Sequence, residues 1–306
     1  MKALVTGGAG FIGSHVVGLL LENGFETAVV DNLSTGKKGN VNPVASLQAV
    51  DITNEGALEQ VFVKEKPEIV FHLAAQANAR VSAENPLFDA KTNLLGSINV
   101  LECCRKHGVK KIVYSSSCAV YGKPQAVPVN EAHEIAPVLP YGASKHAVEH
   151  YLEIYRGLYG IDFVALRYAN VYGPRQDGKG EGGVIAVFTE KLLSGAALTV
   201  NGDGEQMREF VFVKDVAKAN LAAATRSASK RFLNIGSGNE TSVNQLVSLL
   251  QQATKLKPKV VHAAPVAGEV RRMLLDSSLA AAELGWKPTV SISEGLRETI
   301  DWAKGR

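Results

Sequence analysis

Three glycines near the start of the chain, Gly7, Gly10 and Gly13, are each three residues apart and constrain the fold more than any other feature. A short apolar run at residues 4–6 precedes them and an amphipathic segment follows, which is typical of a strand, a tight turn and a helix. The first glycine allows the turn, the second lets a phosphate approach the backbone, and the third lets the helix pack against the strand. The pattern therefore predicts a pyrophosphate site at the helix N-terminus.

A second strand-like segment, residues 27–31, ends in an acidic residue, Asp31, 18 residues after Gly13. A carboxylate at this place can accept both hydrogen bonds of the adenosine ribose diol. A 2′-phosphate beside Asp31 would be repelled, and no arginine follows to bind it. We therefore expect NAD rather than NADP at the glycine loop.

Strand-like and helical segments alternate through the first two thirds of the chain. This alternation is typical of an α/β fold with a doubly wound parallel sheet, in which ligands bind beyond the carboxyl ends of the strands. The predicted strands lie near residues 2–6, 26–31, 47–50, 68–73, 110–116 and 161–168.

After Arg167 the alternation gives way to segments rich in glycine and proline, which predicts a smaller α/β lobe for the substrate. The expected division is a Rossmann domain of residues 1–170 and 212–235, and a substrate-binding lobe of residues 171–211 and 236–306. The elements expected to return the chain to the main sheet are a strand at 209–213, a helix at 214–227 and a strand at 232–235.

Composition excludes several classes of function for the 306 residues. The 33 basic and 30 acidic side chains are scattered along the chain, so nucleic-acid binding is not indicated. No apolar run reaches the roughly 18 residues of a membrane span. Met1 leads directly into the first predicted strand, so we expect no signal peptide. The cysteines Cys103, Cys104 and Cys118 are odd in number, which favours a reducing, cytoplasmic setting.

Tyr141 and Lys145 open a predicted helix and stand one turn apart, so their side chains lie on one face. A tyrosine hydroxyl with a pKa near 10 is a poor base at neutral pH. A nearby ammonium group and the positive nicotinamide both favour the phenolate and bring its pKa toward the working range. This pattern occurs by chance in many chains, but here it follows the serine tract at 115–117 by one βα unit. We expect Tyr141 to act as an acid and base.

The glycine pattern, the Tyr141–Lys145 pair and Ser117 together resemble the extended short-chain dehydrogenase/reductase family, over essentially the whole chain. Three further segments are similar to its nucleotide-sugar branch, at residues 166–175, 202–210 and 284–288. The resemblance implies a catalytic set of Ser117, Tyr141 and Lys145, with Ser117 sharing a proton between Tyr141 and the 4-hydroxyl of the sugar.

The resemblance also implies two sets of binding residues. The residues expected to contact NAD are Gly7, Gly10, Phe11, Ile12, Gly13, Asp31, Asn32, Asp51, Ile52, Leu73, Ala74, Ala75, Asn93, Ser115, Tyr141, Lys145 and Tyr168. The residues expected to contact the nucleotide sugar are Ser117, Asn170, Val184, Arg208, Glu269, Arg271 and Met273. A planar guanidinium such as Arg208 can bind phosphate oxygens through two parallel hydrogen bonds.

Cys118 and Ala119 follow Ser117 where 4,6-dehydratases of this family carry an Asp-Glu pair and decarboxylating relatives carry a glutamate at the second position. The resemblance is therefore greatest to enzymes that remove a hydride from C4 of a UDP-hexose and return it, by way of a 4-keto intermediate. It implies a 4-epimerase that interconverts UDP-glucose and UDP-galactose. Alternatives are a UDP-N-acetylhexosamine or UDP-uronate 4-epimerase, a dehydratase, a decarboxylase, and a non-catalytic NAD-binding regulator.

Two features separate this chain from many of those epimerases, namely Val266 and the absence of a lysine near Ala77 that some of them carry. Val266 stands where an arginine is common, three residues before Glu269, so Arg271 or Arg272 is the substitute, or the nucleotide differs from UDP. Met273 resembles a side chain that lines the sugar pocket, and its bulk favours glucose and galactose over N-acetyl sugars.

Oligomeric state and metal content complete the predictions. Residues 86–107 and 142–159 form long predicted helices, and the second carries more apolar surface than one sheet face needs. Related enzymes pair two such helices across a two-fold axis, which implies a homodimer. His146 and His150 are one turn apart without a third partner, so a solvated helix face is expected there and no metal.

Overall fold

A seven-stranded parallel sheet is the centre of the computed structural model, which describes residues 1–178, 183–265 and 270–305. The strands of the chain are β1 (Lys2–Thr6), β2 (Glu26–Val30), β3 (Ser46–Gln48), β4 (Ile69–His72), β5 (Lys111–Ser117), β6 (Asp162–Tyr168), β7 (Asn170–Tyr172), β8 (Leu198–Asn201), β9 (Met207–Phe212), β10 (Phe232–Ile235), β11 (Glu240–Ser242) and β12 (Val260–Ala263).

The strand order in the main sheet is β10-β6-β5-β4-β1-β2-β3, and every neighbouring pair is parallel. The order reverses at β1, which leaves a crevice beyond its carboxyl end. The six strands predicted in the first two thirds of the chain are all present in this sheet. The predicted doubly wound α/β fold is confirmed.

The helices cover both faces of the sheet. They are α1 (Phe11–Glu22), α2 (Glu55–Glu65), α3 (Ala79–Glu84), α4 (Pro86–Asp89), α5 (Gly96–Lys106), α6 (Pro140–Tyr159), α7 (Val184–Leu193), α8 (Val213–Thr225), α9 (Val243–Thr254), α10 (Ser278–Leu284) and α11 (Ile292–Lys304). A π-helical turn, Ala90–Leu95, joins α4 to α5, so the long helix predicted over 86–107 is interrupted. Among the described residues, no helix is both long and apolar enough to cross a membrane.

Side chains of β1 show how the sheet is buried on both faces. Ala3 and Val5 belong to one apolar cluster, together with Val17 of α1. Leu4 points to the opposite face and belongs to a second cluster, together with Leu101 of α5. Since side chains of a strand alternate between faces, a strand buried on both sides is a continuous apolar run, as this one is.

The second part of the chain has a core of its own and two small sheets. Strand β9 pairs with β7 and β11 in a three-stranded sheet, and β8 pairs with β12 in a two-stranded one. The prediction that the strand at 209–213 returns to the main sheet is therefore wrong, whereas β10 does return. Phe210 and Phe212 of β9 pack in a third cluster with Tyr172 and Leu246, which keeps this strand with the small sheet. The predicted boundaries at 170/171 and 211/212 fall within β7 and β9.

Candidate active site

The glycine loop joins β1 to α1 with close backbone contacts. Gly7 has a φ of +72°, and a Cβ there would lie 2.7 Å from the Ala74 nitrogen. A Cβ on Gly13 would lie 2.1 Å from the Gly7 oxygen. Gly10 caps α1 without a side chain, so no cap oxygen competes for the amides of the first turn. These amides and the helix dipole form a cradle suited to a pyrophosphate.

Asp31, which follows β2, lies beside this loop. Its carboxylate accepts hydrogen bonds from the backbone nitrogens of Ala9 at 3.0 Å and Leu33 at 2.8 Å. Gly36 passes so close that a Cβ there would lie 2.6 Å from one carboxylate oxygen. The side chain is therefore held in place at the loop, where a ribose diol would meet it.

The segment after β4 forms a wall opposite the glycine loop. The Thr6 hydroxyl accepts hydrogen bonds from the nitrogens of Leu73 and Ala74, each at 3.2 Å. His72 Nδ1 lies 2.7 Å from the same hydroxyl, and its Nε2 lies 2.8 Å from the Ser97 hydroxyl. Burial lowers the pKa of His72 to about 3, so this imidazole is a neutral linker.

Other predicted cofactor residues lie at the same edge of the sheet. The Asn32 side chain donates to Asp51 at 2.8 Å. Ile52 is buried beneath Gly96, where a Cβ would lie 2.7 Å from it. The partly exposed members of the set are Phe11 and Ile12 in α1, and Leu73, Ala74 and Ala75 after β4.

Ser117 and Tyr141 meet at the carboxyl end of β5. Ser117 is the last residue of that strand, and its hydroxyl accepts from the Ala119 nitrogen at 3.2 Å. Tyr141 lies in the first turn of α6, and its hydroxyl interacts with the Ser117 side chain. Burial raises the pKa of Tyr141 to about 12, and the interaction with Ser117 acts in the opposite direction. A Cβ on Gly142 would lie 2.5 Å from the Ala119 oxygen, so glycine there allows the close approach.

Lys145 lies one turn after Tyr141 and is 3% exposed. Its ammonium donates to the Ser115 carbonyl oxygen at 2.7 Å and lies 6.0 Å from the centre of the Tyr141 ring. Burial lowers the pKa of Lys145 to about 8, while Asp89 and Glu149 act to raise it. The site can therefore hold a positive charge beside Tyr141 at neutral pH.

Ser115 and Tyr168 lie behind these residues. Interaction with the Ser115 side chain acts to lower the pKa of Tyr168, and the Tyr168 hydroxyl lies 3.1 Å from the Asn220 side-chain oxygen. Tyr168 is buried, and burial raises its pKa above the ordinary tyrosine range. Both predicted residues adjoin Lys145 and Tyr141 through this network.

Asn93, also predicted at the cofactor, is 1% exposed and lies in the π-helical turn. Its oxygen accepts from the Gln76 nitrogen at 2.7 Å, and its amide donates to Gln76 oxygen, Asp89 and Ser144 at 2.9 to 3.1 Å. The structure thus assigns this side chain to buried contacts with the protein. Its contact with the cofactor stays a prediction.

Three of the predicted substrate residues line one cavity of about 190 Å³. They are Asn170 at the start of β7, Val184 at the start of α7, and Arg208 in β9. The Asn170 amide donates to the Glu209 carbonyl oxygen at 3.0 Å. Because the cavity combines a guanidinium, an amide and apolar side chains, it suits an anion attached to a flat ring.

The other described residues of the predicted substrate set do not line that cavity. The Arg271 guanidinium forms a two-point ion pair with Asp203 at 3.0 and 3.1 Å, on the surface. Met273 is 5% exposed and packs in the first core cluster, against which Cys118 also packs. Glu269 and Val266 lie outside the described residues.

A buried ion pair that the sequence patterns missed fixes α6 on the sheet. Glu149 of α6 binds the Arg167 guanidinium of β6 through two hydrogen bonds, at 2.9 and 2.8 Å. Ser116 donates to the same carboxylate at 2.7 Å. An acid eight residues after Tyr141 on a predicted core face was the available signal, since such a side chain needs a buried partner.

The parallel sheet, the glycine cradle and the serine–tyrosine–lysine cluster define a dinucleotide-binding α/β protein with a proton-transfer site. Residues 3–236 match the NAD dependent epimerase/dehydratase family, and the chain belongs to this family. It is 47% identical to a putative UDP-glucose 4-epimerase of Methanocaldococcus jannaschii, over 98% of each chain. The predicted membership of the extended short-chain dehydrogenase/reductase family is confirmed.

Solved structures show the same similarity. The UDP-glucose 4-epimerase of Thermotoga maritima, solved with UDP-glucose, is 46% identical, with a TM-score of 0.97 over 100% of this chain and 99% of that one. The UDP-glucose 4-epimerase of Thermus thermophilus, solved with NAD, is 42% identical, with a TM-score of 0.95 over the same shares. These findings confirm NAD as the cofactor predicted from the glycine loop and Asp31.

Proposed function

We propose that this protein catalyses the NAD-dependent inversion of C4 in a UDP-hexose and interconverts UDP-glucose and UDP-galactose. The observation that carries the proposal is the placement of Ser117 at the end of β5 and of Tyr141 in the first turn of α6, next to the buried ammonium of Lys145. The similarity to UDP-glucose 4-epimerases over nearly the full length of both chains supports it.

The residues of the glycine loop fit a bound NAD. A Cβ on Gly7, Gly10 or Gly13 would crowd the protein's own backbone, so the cradle presents bare backbone to a pyrophosphate. Asp31 would bind the adenosine ribose, with the Ala9 amide holding its carboxylate in place. When bound, NAD would accept the hydride from C4 of the sugar and later give the same hydride back.

Proton transfer falls to Tyr141, directly or through Ser117. Burial raises the pKa of Tyr141 to about 12, so the phenolate needs positive charge nearby to form at neutral pH. Lys145 supplies one such charge, and the nicotinamide of a bound NAD would supply another. Tyr141 removes the proton of the 4-hydroxyl as the keto sugar forms. It returns that proton after the sugar has rotated to expose its opposite face.

The residues after Ser117 support epimerisation without further acid–base chemistry. Cys118 packs against the first core cluster, and burial raises the pKa of its thiol to about 12, so it stays protonated. Ala119 has no titratable group. Elimination of water would need an additional acid and base at these positions, and neither residue is suited to that role.

The cavity formed with Asn170, Val184 and Arg208 would hold the nucleotide diphosphate. A 4-keto sugar must expose its opposite face before the hydride returns, so its own contacts have to be few. We therefore expect contacts with the nucleotide to supply most of the binding affinity for the substrate. The hexose is expected to turn about its bond to the diphosphate.

The experiment that tests the proposal is proton NMR of the purified protein with UDP-glucose, UDP-galactose, their N-acetyl forms and UDP-glucuronate. We expect an equilibrium mixture of UDP-glucose and UDP-galactose from either starting sugar. Tyr141→Phe is the matched control, because it removes one hydroxyl and keeps the ring. Inversion of only the N-acetyl or uronate sugars would replace the proposed substrate, and absence of inversion with all of them would overturn the activity.

A homodimer formed through α6 is part of the proposal. Val148, Leu152 and Tyr155 of this helix are buried in the chain's own core, so they do not add to a free surface. Ile154 and Leu158 are 49% and 68% exposed. They continue a stripe with Ala143, Ala147 and Tyr151, one helical turn at a time. Such a stripe is suited to a second copy of the same helix.

Light scattering of the intact protein and of Leu158→Glu tests the dimer. We expect the mass of two chains for the parent and of one chain for the variant, because a charge would be buried in the interface. A parent that stays monomeric at micromolar concentration would contradict it. The free thiols Cys103 and Cys104 are buried, which fits the cytoplasmic setting that we propose.

A further inference from the structure

Asp89 is a buried carboxylate with no assigned role. It ends α4, is 1% exposed, and accepts hydrogen bonds on one oxygen from the side-chain amides of Gln76 and Asn93, both at 3.0 Å. In the part of the chain that the structure describes, no cation lies within ion-pair distance of it. Two neutral amides compensate a buried negative charge only in part, so a positive charge farther away is needed.

Lys145 is a buried positive charge that could compensate the buried negative charge of Asp89. It is a buried ammonium that donates a hydrogen bond to a neutral group, the carbonyl of Ser115. The Asn93 amide nitrogen lies 3.0 Å from the Asp89 carboxylate and 3.1 Å from the hydroxyl of Ser144, the residue before Lys145. One amide group therefore separates the carboxylate of α4 from the helix that carries the lysine.

We propose that Asp89 is a positioning residue for the reaction, whose buried charge holds Lys145 in its protonated form. This inference rests on the proposed function for its effect on turnover. The π-helical turn supports it, because π-turns inside helices are frequent at functional sites and this one contains Asn93. In a buried setting, attraction between opposite charges extends beyond direct contact.

The other titratable groups around Lys145 do not supply the same charge. Burial lowers the pKa of His72 and raises that of Tyr114 far above its usual range, so both stay neutral. Tyr141 is neutral in the protein alone for the same reason. Glu149 is charged, but its two oxygens bind the Arg167 guanidinium. Among the described residues, Asp89 is the carboxylate near Lys145 that forms no ion pair with an arginine or lysine.

A pair of variants separates the charge from the hydrogen bonds. Asp89→Asn keeps the oxygen that accepts from Gln76 and Asn93 and removes the charge. Ser144→Ala removes a hydrogen bond to Asn93 and keeps both charges. We expect Asp89→Asn to move the alkaline fall in turnover to lower pH by about one unit, since an opposite charge raises the pKa of a lysine. Ser144→Ala should leave the pH of that fall unchanged. An unmoved profile for Asp89→Asn would overturn the proposal.

A stability cycle tests the same charge pair without any assay of activity. Lys145→Met leaves Asp89 buried without its counter-charge, and removal of that carboxylate should then relieve the penalty. We expect Asp89→Asn to lower the melting temperature of the parent and to raise that of Lys145→Met. Equal lowering in both backgrounds would show a structural role alone and would refute the charge pairing.

The two experiments fail in different ways. If the proposed epimerisation is wrong, turnover cannot be followed, but the melting temperatures still show whether the two charges interact. If Asp89→Asn alone does not fold, refolding in the Lys145→Met background supports the proposal, and failure in both backgrounds overturns it.

Discussion

The Lys145 ammonium donates a hydrogen bond to the Ser115 carbonyl oxygen at 2.7 Å, and this bond links α6 to β5. Ser117 lies two residues farther along β5, and Tyr141 lies one turn earlier on α6. Together with the Ser116–Glu149 hydrogen bond at 2.7 Å, this contact places Tyr141 near Ser117. The Lys145 charge that the same bond holds in place lies 6.0 Å from the Tyr141 ring.

Removal of the Tyr141 hydroxyl should stop the reaction without loss of the fold. We expect Tyr141→Phe to lower kcat by about two orders of magnitude or more, as for the loss of a positioned acid and base. Tyr159→Phe is the matched control, because that ring is 48% exposed at the end of α6. Initial rates and melting temperatures are measured for both variants. Near-normal turnover in Tyr141→Phe would contradict the proton transfer proposed here.

Turnover should fall on the alkaline side near pH 8. Burial lowers the pKa of Lys145 to about 8, so the ammonium loses its proton as the pH rises through this value. The positive charge beside Tyr141 is then lost and the phenolate is no longer favoured. Initial rates between pH 6 and 10, at saturating UDP-galactose, measure the effect. A constant rate up to pH 10 would show that the lysine charge has no part in turnover.

Local patterns made much of this site predictable from the sequence. The glycine spacing, Asp31 at the end of a strand, and Tyr141 one turn from Lys145 all depend on residues close together in the chain. The spacing of the residues in each pattern therefore specifies their relative positions in the fold. The parallel sheet followed for the same reason, since alternating segments leave few ways to connect parallel strands.

The long-range polar contacts could not be predicted in this way. Asp89, Gln76 and Ser144 are ordinary residue types, and their shared contacts through Asn93 join segments up to 51 residues apart. Strand β9 has a strand pattern, but nothing in it specifies which sheet it joins. Arg271 and Arg208 are both arginines near the predicted substrate lobe, and only the fold shows that one of them lines the cavity.

Cofactor choice should depend on the charge of Asp31. We expect NAD to bind much more tightly than NADP, because a 2′-phosphate would meet this carboxylate. Asp31→Asn keeps an oxygen for the Ala9 amide, and it should reduce the ratio of NAD affinity to NADP affinity at least about tenfold. Asp51→Asn is the control and should affect both cofactors alike. Calorimetry with each cofactor measures the ratio, and equal affinity of the parent for both would contradict the assignment.

Arg208 should contribute to binding of the nucleotide and not of the hexose. Loss of a charge-assisted contact costs about 1.5–3 kcal/mol, so Arg208→Ala should weaken UDP and UDP-glucose alike by about 10- to 100-fold. Arg105→Ala serves as the control, since its guanidinium binds Glu102 at 2.8 Å on the surface of α5. Calorimetry with both ligands decides the matter. Unchanged binding of UDP with weaker binding of UDP-glucose would make Arg208 a contact of the sugar.

Two glycines of the same helix, Gly13 and Gly18, should respond to alanine in opposite ways. A Cβ on Gly13 would lie 2.1 Å from the Gly7 oxygen, a backbone atom, so the glycine loop has to move. A Cβ on Gly18 meets no atom within 4 Å. We expect Gly13→Ala to lower the melting temperature and to weaken NAD binding, because the loop that moves is the pyrophosphate cradle.

Gly18→Ala should instead stabilise the protein by about 0.5–1 kcal/mol, the gain of alanine over glycine inside a helix, and should leave NAD binding as it is. Thermal unfolding and NAD titration of both variants provide the measurements. Helix propensity alone would favour alanine at both positions, whereas the available space favours alanine at Gly18 only, so the two variants separate these effects. An increase in melting temperature for Gly13→Ala, with normal NAD affinity, would mean that the third glycine is not needed for close packing of α1 on the loop.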